Sequence, residues 1–142
     1  MIVKPYQQTE QRKIELLDLL PYARTLHVID RAGKELFPIY PYRCCVHVAK
    51  VIKSELGLVP VTGKYNGHGH VATWDDTLEL YVDLTVKQFG SHHARVYGTS
   101  NHLFVPNREE TRLFQRFRSV APDKEHEIFK NLVRETLQEK TY

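Results

Sequence analysis

The sequence predicts a single α+β domain: helices first and last, and between them a central helix packed on a small antiparallel sheet. Three observations carry this. Apolar residues recur at intervals of three and four over residues 9–20, 44–56 and 123–139. Short β-prone runs bounded by Gly, Asn and Asp fill the stretch from 58 to 105. A chain of 142 residues with 42% hydrophobic content suits one core of ordinary size, so no second domain is expected. The central unit then covers residues 38–106, with flanking helices at 9–31 and 107–140.

Ile14, Leu16, Leu17 and Leu20 form the apolar stripe of a first helix over residues 9–20, with Thr9 and Glu10 as its start. Pro21 opens a second, over 21–29, which the turn-forming group Asp30 to Gly33 ends. Pro38 and Pro41 keep 37–42 extended, because a residue before proline is steered out of the helical region. The central helix over 44–56 buries Cys45, Val48, Ala49, Ile52 and Leu56, and Gly57 stops it. Residues 58–62 are β-prone, and 63–67 read as a loop leading to His68 and His70.

Strands follow at 71–74 and 78–85, joined at Asp75-Asp76-Thr77. A turn of two or four residues pairs His70 with Asp83, Ala72 with Tyr81 and Trp74 with Glu79. His70 and Asp83 then face each other on one side of the sheet, whereas a three-residue turn breaks the pairing. Short strands at 94–97 and 103–105 flank a turn at 98–101. Asn107 with Glu110 resembles a capping box, opening a helix through Arg118. The last helix, 123–139, buries Ile128, Phe129, Leu132, Val133 and Leu137.

Lys and Arg number 20 against 17 Asp and Glu, a net charge of +3 that favours solubility without demanding a nucleic-acid or membrane partner. The opening residues are too polar, and too interrupted by Pro5, for a signal peptide, and nowhere do ~18 apolar residues run together. A cytoplasmic protein without a membrane partner is expected. The two cysteines are adjacent, so they cannot close a long stabilising loop. A reducing compartment leaves the thiols available for chemistry.

A thiolate is favoured at a helix N-terminus, where unpaired amides supply partial positive charge. Cys45 is the preferred nucleophile because it continues the buried stripe and so faces the sheet carrying His70; Cys44, about 100° away around the helix, is the alternate. His70 is placed to take the thiol proton and return it to a leaving group, with Asp83 holding its other nitrogen. His68 is the rival base. An oxyanion could be met by the Cys45 backbone N–H and by a donor from the preceding segment, where Tyr40 and Tyr42 are the available side chains.

Cys at a helix start, then His on a strand and Asp on the next, resembles the papain-like and transglutaminase-like cysteine enzyme superfamily. Cys45-Val-His-Val-Ala, His70 with Trp74, Tyr81-Val-Asp-Leu-Thr and the following Gln88-Phe89 are similar to its small bacterial or phage members, over roughly the middle third of the chain. The resemblance implies Cys45 as nucleophile, His70 as general base and acid, Asp83 as orienter and Trp74 near the substrate. No cofactor or metal is expected. Acyl-transfer chemistry at an amide or thioester is then expected, as a peptidase, deamidase or amidase rather than by transfer to an amine. The partner is a protein or peptide substrate, or a small amide.

Plainer readings stand beside this one. Cys45 alone could be a small buried hydrophobe, His70 a structural residue and Asp83 an edge charge. Cys44, Cys45, His47, His68, His70, His92 and His93 offer ligand types suited to zinc, but no Cys-x-x-Cys pair or closed set of four is evident, and His92-His93 read as a solvated loop. The alternative function is a non-enzymatic domain binding protein or nucleic acid through Arg108, Arg112, Arg116 and Arg118, interleaved with Phe114 and Phe117. Glu109 and Glu110 dilute that field, which disfavours nucleic acid.

Overall fold

The computed structural model describes residues 15–117 and 124–139. A 3-10 turn at Leu16–Leu19 precedes α1 (Ala23–Leu36) and α2 (Cys45–Leu56). The strands β1 (Val59–Tyr65), β2 (His68–Asp75), β3 (Leu80–Val82), β4 (Val96–Tyr97) and β5 (Phe104–Pro106) follow, with a 3-10 turn at Val86–Phe89 between β3 and β4. Helices α3 (Arg108–Phe117) and α4 (Lys124–Glu139) complete the described chain. The fold is α+β, with all strand pairs antiparallel in the order β4-β3-β2-β1-β5.

Alternation of side chains gives the sheet two faces, and each is buried differently. Val82 and Val96 pack with Leu26 and Ile29 of α1, Val48 and Ile52 of α2, and Phe129 and Val133 of α4. On the other face Tyr65, Ala72, Tyr81, Tyr97 and Phe104 form an aromatic cluster. Tyr97 and Phe104 lie on opposite edge strands, yet their ring centroids are 6.3 Å apart. A flat sheet of five strands at ~4.8 Å spacing would hold them far apart, so the sheet is curled around this cluster.

Several boundaries differ from expectation. Helix α1 runs through Asp30 to Gly33 instead of turning there, since Ala32 and Gly33 are buried and Asp30 pairs with Lys34 one turn on, at 3.2 Å. Gly33 is required by contact: an added Cβ would lie 2.4 Å from the Tyr40 ring. Of the expected first helix, only Leu16–Leu19 falls among the described residues with regular structure, as a 3-10 turn. The segment 37–42 is not extended: Tyr40 N–H donates to the Phe37 carbonyl at 3.0 Å and Tyr42 N–H to that of Ile39 at 2.7 Å. Pro38 sits second in the first of these turns, a position its fixed φ suits. Ile128 of α4 is exposed, while Phe129 and Val133 are buried.

The expected loop at 63–67 is instead the end of β1 and a two-residue hairpin. Asn66 and Gly67 take φ of 49° and 84°, the left-handed pair of a type I′ turn, whose twist matches that of the flanking strands. Gly63 has the backbone of β5 against it, and an added Cβ would lie 2.2 Å from the Val105 carbonyl oxygen. Gly63→Ala is therefore expected to cost about 1–3 kcal/mol by pushing β5 off β1, read as a lowered urea midpoint.

The β2–β3 register is displaced by two residues from the expected one: Trp74 pairs with Tyr81 and Thr73 with Val82. Asp75 causes the shift. It extends β2, and its Oδ1 accepts the N–H groups of Thr77 and Leu78 at 2.9 and 3.0 Å. The chain then bends through Glu79 at φ 56° before β3 begins. Because the displacement is even, no side chain changes face. His70 and Asp83 remain on one side as diagonal neighbours.

Candidate active site

Asp83 follows the last residue of β3 and is held by its own N–H, which donates to the Arg95 carbonyl at 2.7 Å. Its carboxylate faces His70 near the start of β2. His70 Nε2 lies 2.9 Å from Asp83 Oδ1 and 2.8 Å from Oδ2, with both side chains out of contact with solvent. The Tyr97 hydroxyl donates to Asp83 Oδ2 at 2.6 Å. Phe89, Tyr65 and Phe104 frame the imidazole edge-on, with centroids 5.0, 6.0 and 6.3 Å away.

With Nε2 committed to Asp83, Nδ1 is left for other partners. Gln88 Nε2 stands 3.5 Å from it, and the Cys45 thiol is close enough to act on the ring. Burial opposes a charge on His70. Hydrogen bonding to Asp83 and to Cys45, together with their negative charges, outweighs burial and raises the His70 pKa to about 9. The imidazole therefore holds its proton throughout the neutral range.

Cys45 is the first residue of α2, half-buried, with Cys44 as the N-cap. The amides of the first turn have no partner within the helix and point toward the thiol end. Cys44 differs in every respect. It is buried in the helical core, where burial, then the charges of Cys45 and Asp30, push its thiol up to about 12. Of the two sulfurs, only that of Cys45 adjoins the imidazole.

Two sequence-based assignments are corrected. The Tyr40 hydroxyl is committed elsewhere, donating to Asp30 Oδ1 at 2.6 Å over the α1 surface that Gly33 leaves open. Trp74 shares the face of His70 but lies four residues along β2, ~13 Å at ~3.3 Å per residue, its ring tilted at 59° against Tyr81 with centroids 4.7 Å apart. Tyr42 and His68, by contrast, both line an open cleft of about 530 Å³ that also includes Arg43, Asn66, Gln88 and Phe89. His68 is exposed and stacked on Phe89, with no contact to Asp83.

The histidine pair at 92 and 93 also divides. His93 is buried, not solvated, and its Nδ1 lies 3.0 Å from the Tyr65 hydroxyl; His92 is exposed. Among the described residues no group of three or more His, Cys, Asp or Glu could hold a metal ion. Arg108, Arg112 and Arg116 are exposed on α3 beside Glu109 and Glu110, and Arg118 lies outside the described residues. No helix among the described residues is long and apolar enough to cross a membrane.

Tyr97 and Gln88 are the site residues that sequence reasoning missed. Tyr97 reaches Asp83 only because β4 pairs with β3; the strand at 94–97 was expected, but no local pattern marks which strand it pairs with. Burial and the Asp83 charge raise the Tyr97 pKa, so its hydroxyl remains a donor at every working pH. Tyr97→Phe is expected to cost about 1–2 kcal/mol in urea unfolding and to slow alkylation of Cys45 several-fold, as the carboxylate loses its second anchor. Gln88 was visible only as text following the Asp-Leu-Thr run; the 3-10 turn at Val86–Phe89 brings it to the ring.

No family model matches the chain, and neither a curated protein nor a solved structure matches it.

Proposed function

We propose that this protein is a cysteine-dependent acyl-transfer enzyme, most simply a hydrolase of an amide or thioester, working through Cys45, His70 and Asp83. The observation that carries the reading is the His70 imidazole: sealed from solvent, tied through Nε2 to a carboxylate, and holding a proton beside a thiol at a helix start. The order of the three residues supports the same chemistry through its resemblance to papain-like and transglutaminase-like enzymes.

Cys45 acts as a thiolate paired with the protonated His70, and its Sγ attacks the carbonyl carbon of the substrate. The oxyanion that forms can accept hydrogen bonds from the Cys45 N–H and from Gln88 Nε2, in the role first sought in Tyr40 and Tyr42. As the carbon–nitrogen or carbon–sulfur bond breaks, His70 gives its proton to the departing amine or thiol, leaving a thioester on Cys45. Water attacks that thioester, passes a proton to the now neutral His70 and releases an acid as Sγ departs, which restores the thiolate beside the protonated ring. Asp83 fixes the ring and stabilises its positive charge.

Iodoacetamide labelling read by peptide mass spectrometry tests this. At neutral pH Cys45 should be modified well ahead of a free cysteine in the same tube, and Cys44 should stay unmodified until the protein unfolds. Equal and slow labelling of both residues would sink the proposal.

A further inference from the structure

The cleft of about 530 Å³ contains Tyr42, Arg43, Asn66, His68, Gln88 and Phe89, and no carboxylate lines it. Two of its lining residues separate it from the buried imidazole: Gln88 reaches His70 Nδ1 and Phe89 packs edge-on against the same ring. Arg43 stands two residues before Cys45 and is exposed, at φ 59°. A non-glycine residue in that conformation carries local strain of about 1 kcal/mol, which surrounding structure must hold in place. Arg95 and Arg134 are tied to Glu15 and Glu55. Arg43 has no ion pair or hydrogen bond among the described residues.

We infer that Arg43 is a specificity residue that binds a carboxylate carried by the acyl substrate, close to the bond that Cys45 attacks. The inference rests on the thiol-enzyme reading above and names its substrate class. A guanidinium meets a carboxylate through two parallel N–H bonds, and the match is strongest where no protein carboxylate competes. The cleft offers one fixed positive charge, which suits the single charge of a carboxylate better than the double charge of a phosphate. His68 stacked on Phe89, centroids 5.8 Å apart, supplies an apolar wall for the stem that carries the acid. The volume falls within the range that holds a small ligand or a residue or two of peptide.

Three alkylating probes on one skeleton test this with the full chain: N-iodoacetyl-glutamine amide, N-iodoacetyl-glutamine with a free α-carboxylate, and N-iodoacetyl-glutamate α-amide. In each, Sγ of Cys45 forms a thioether as iodide leaves, so the rates differ only through recognition. At least one acidic probe should react roughly tenfold faster than the neutral one, and which one reports whether the acid is a chain terminus or a side chain. Arg43→Gln should bring the ratio of acidic to neutral rates close to one, Arg43→Lys should keep part of the preference, and Arg108→Gln, on α3, should leave it unchanged. The wild-type preference should also fall as salt rises, which decides the matter even if the Gln variant does not fold. Rates equal for all three probes, or a preference that survives Arg43→Gln, would overturn the inference while leaving the thiol chemistry intact. A neutral probe no faster on Cys45 than on a free cysteine would instead remove the thiol reading, and this inference with it.

Discussion

Replacing His70 by alanine is expected to slow alkylation of Cys45 by roughly a hundredfold at pH 6, with far less difference near pH 9. An unassisted cysteine with a pKa of ~8.5 is only about 0.3% thiolate at pH 6, so its reactivity climbs about tenfold per unit of pH. In the wild-type protein His70 keeps its proton up to about pH 9, so a cation stands beside Sγ across that whole interval. The wild-type rate should therefore be nearly flat between pH 6 and 8, and the variant's should rise steeply. Two parallel steep profiles would mean that the imidazole does nothing for the sulfur.

Asp83→Asn should carry the largest stability cost of the changes considered, about 3–5 kcal/mol in urea unfolding at pH 6, because it leaves a buried imidazolium without its carboxylate. The pH dependence follows from the direction of the His70 shift. The folded pKa, about 9, lies above the ordinary 6.5, so the stabilisation from the charged ring is complete below about pH 6.5 and is lost as pH rises through about 9. In the variant the Asp83 contributions are gone and burial, opposed only by Cys45, disfavours the charged ring, so that stability should decline as the solution is acidified. The gap between the two proteins should accordingly be widest at pH 6 and narrow above pH 9. A gap independent of pH would show that His70 carries no charge in the folded wild-type chain.

Much of this arrangement was readable from the chain alone. The spacing of Val48, Ala49 and Ile52 and the glycine at 57 define α2 with its left-handed C-cap. Asn107 caps α3 as its position before Glu110 suggested, its Oδ1 accepting the Glu110 N–H at 2.9 Å. The meeting of His70 with Asp83 was legible despite the wrong register, because strand alternation has a period of two and the error was even. The Asn66-Gly67 hairpin was legible too, and was missed by weighting the glycines as loop rather than as a type I′ pair. The extent of α1 was not, since its continuation through Gly33 depends on a tyrosine ring seven residues later filling the space that a side chain would need.

The sequence by itself determined the helix that begins at the paired cysteines, the face shared by His70 and Asp83, and the chemistry open to those residue types. These follow from local periodicity and from the intrinsic reactivity of thiol, imidazole and carboxylate. Tertiary structure alone decided which cysteine adjoins the imidazole, that Tyr97 and Gln88 join the network, and that Tyr40 and Trp74 stand apart from it. Such choices depend on how the sheet curls and how the helix end meets it, and those are set by packing between residues distant along the chain, where no local pattern reaches.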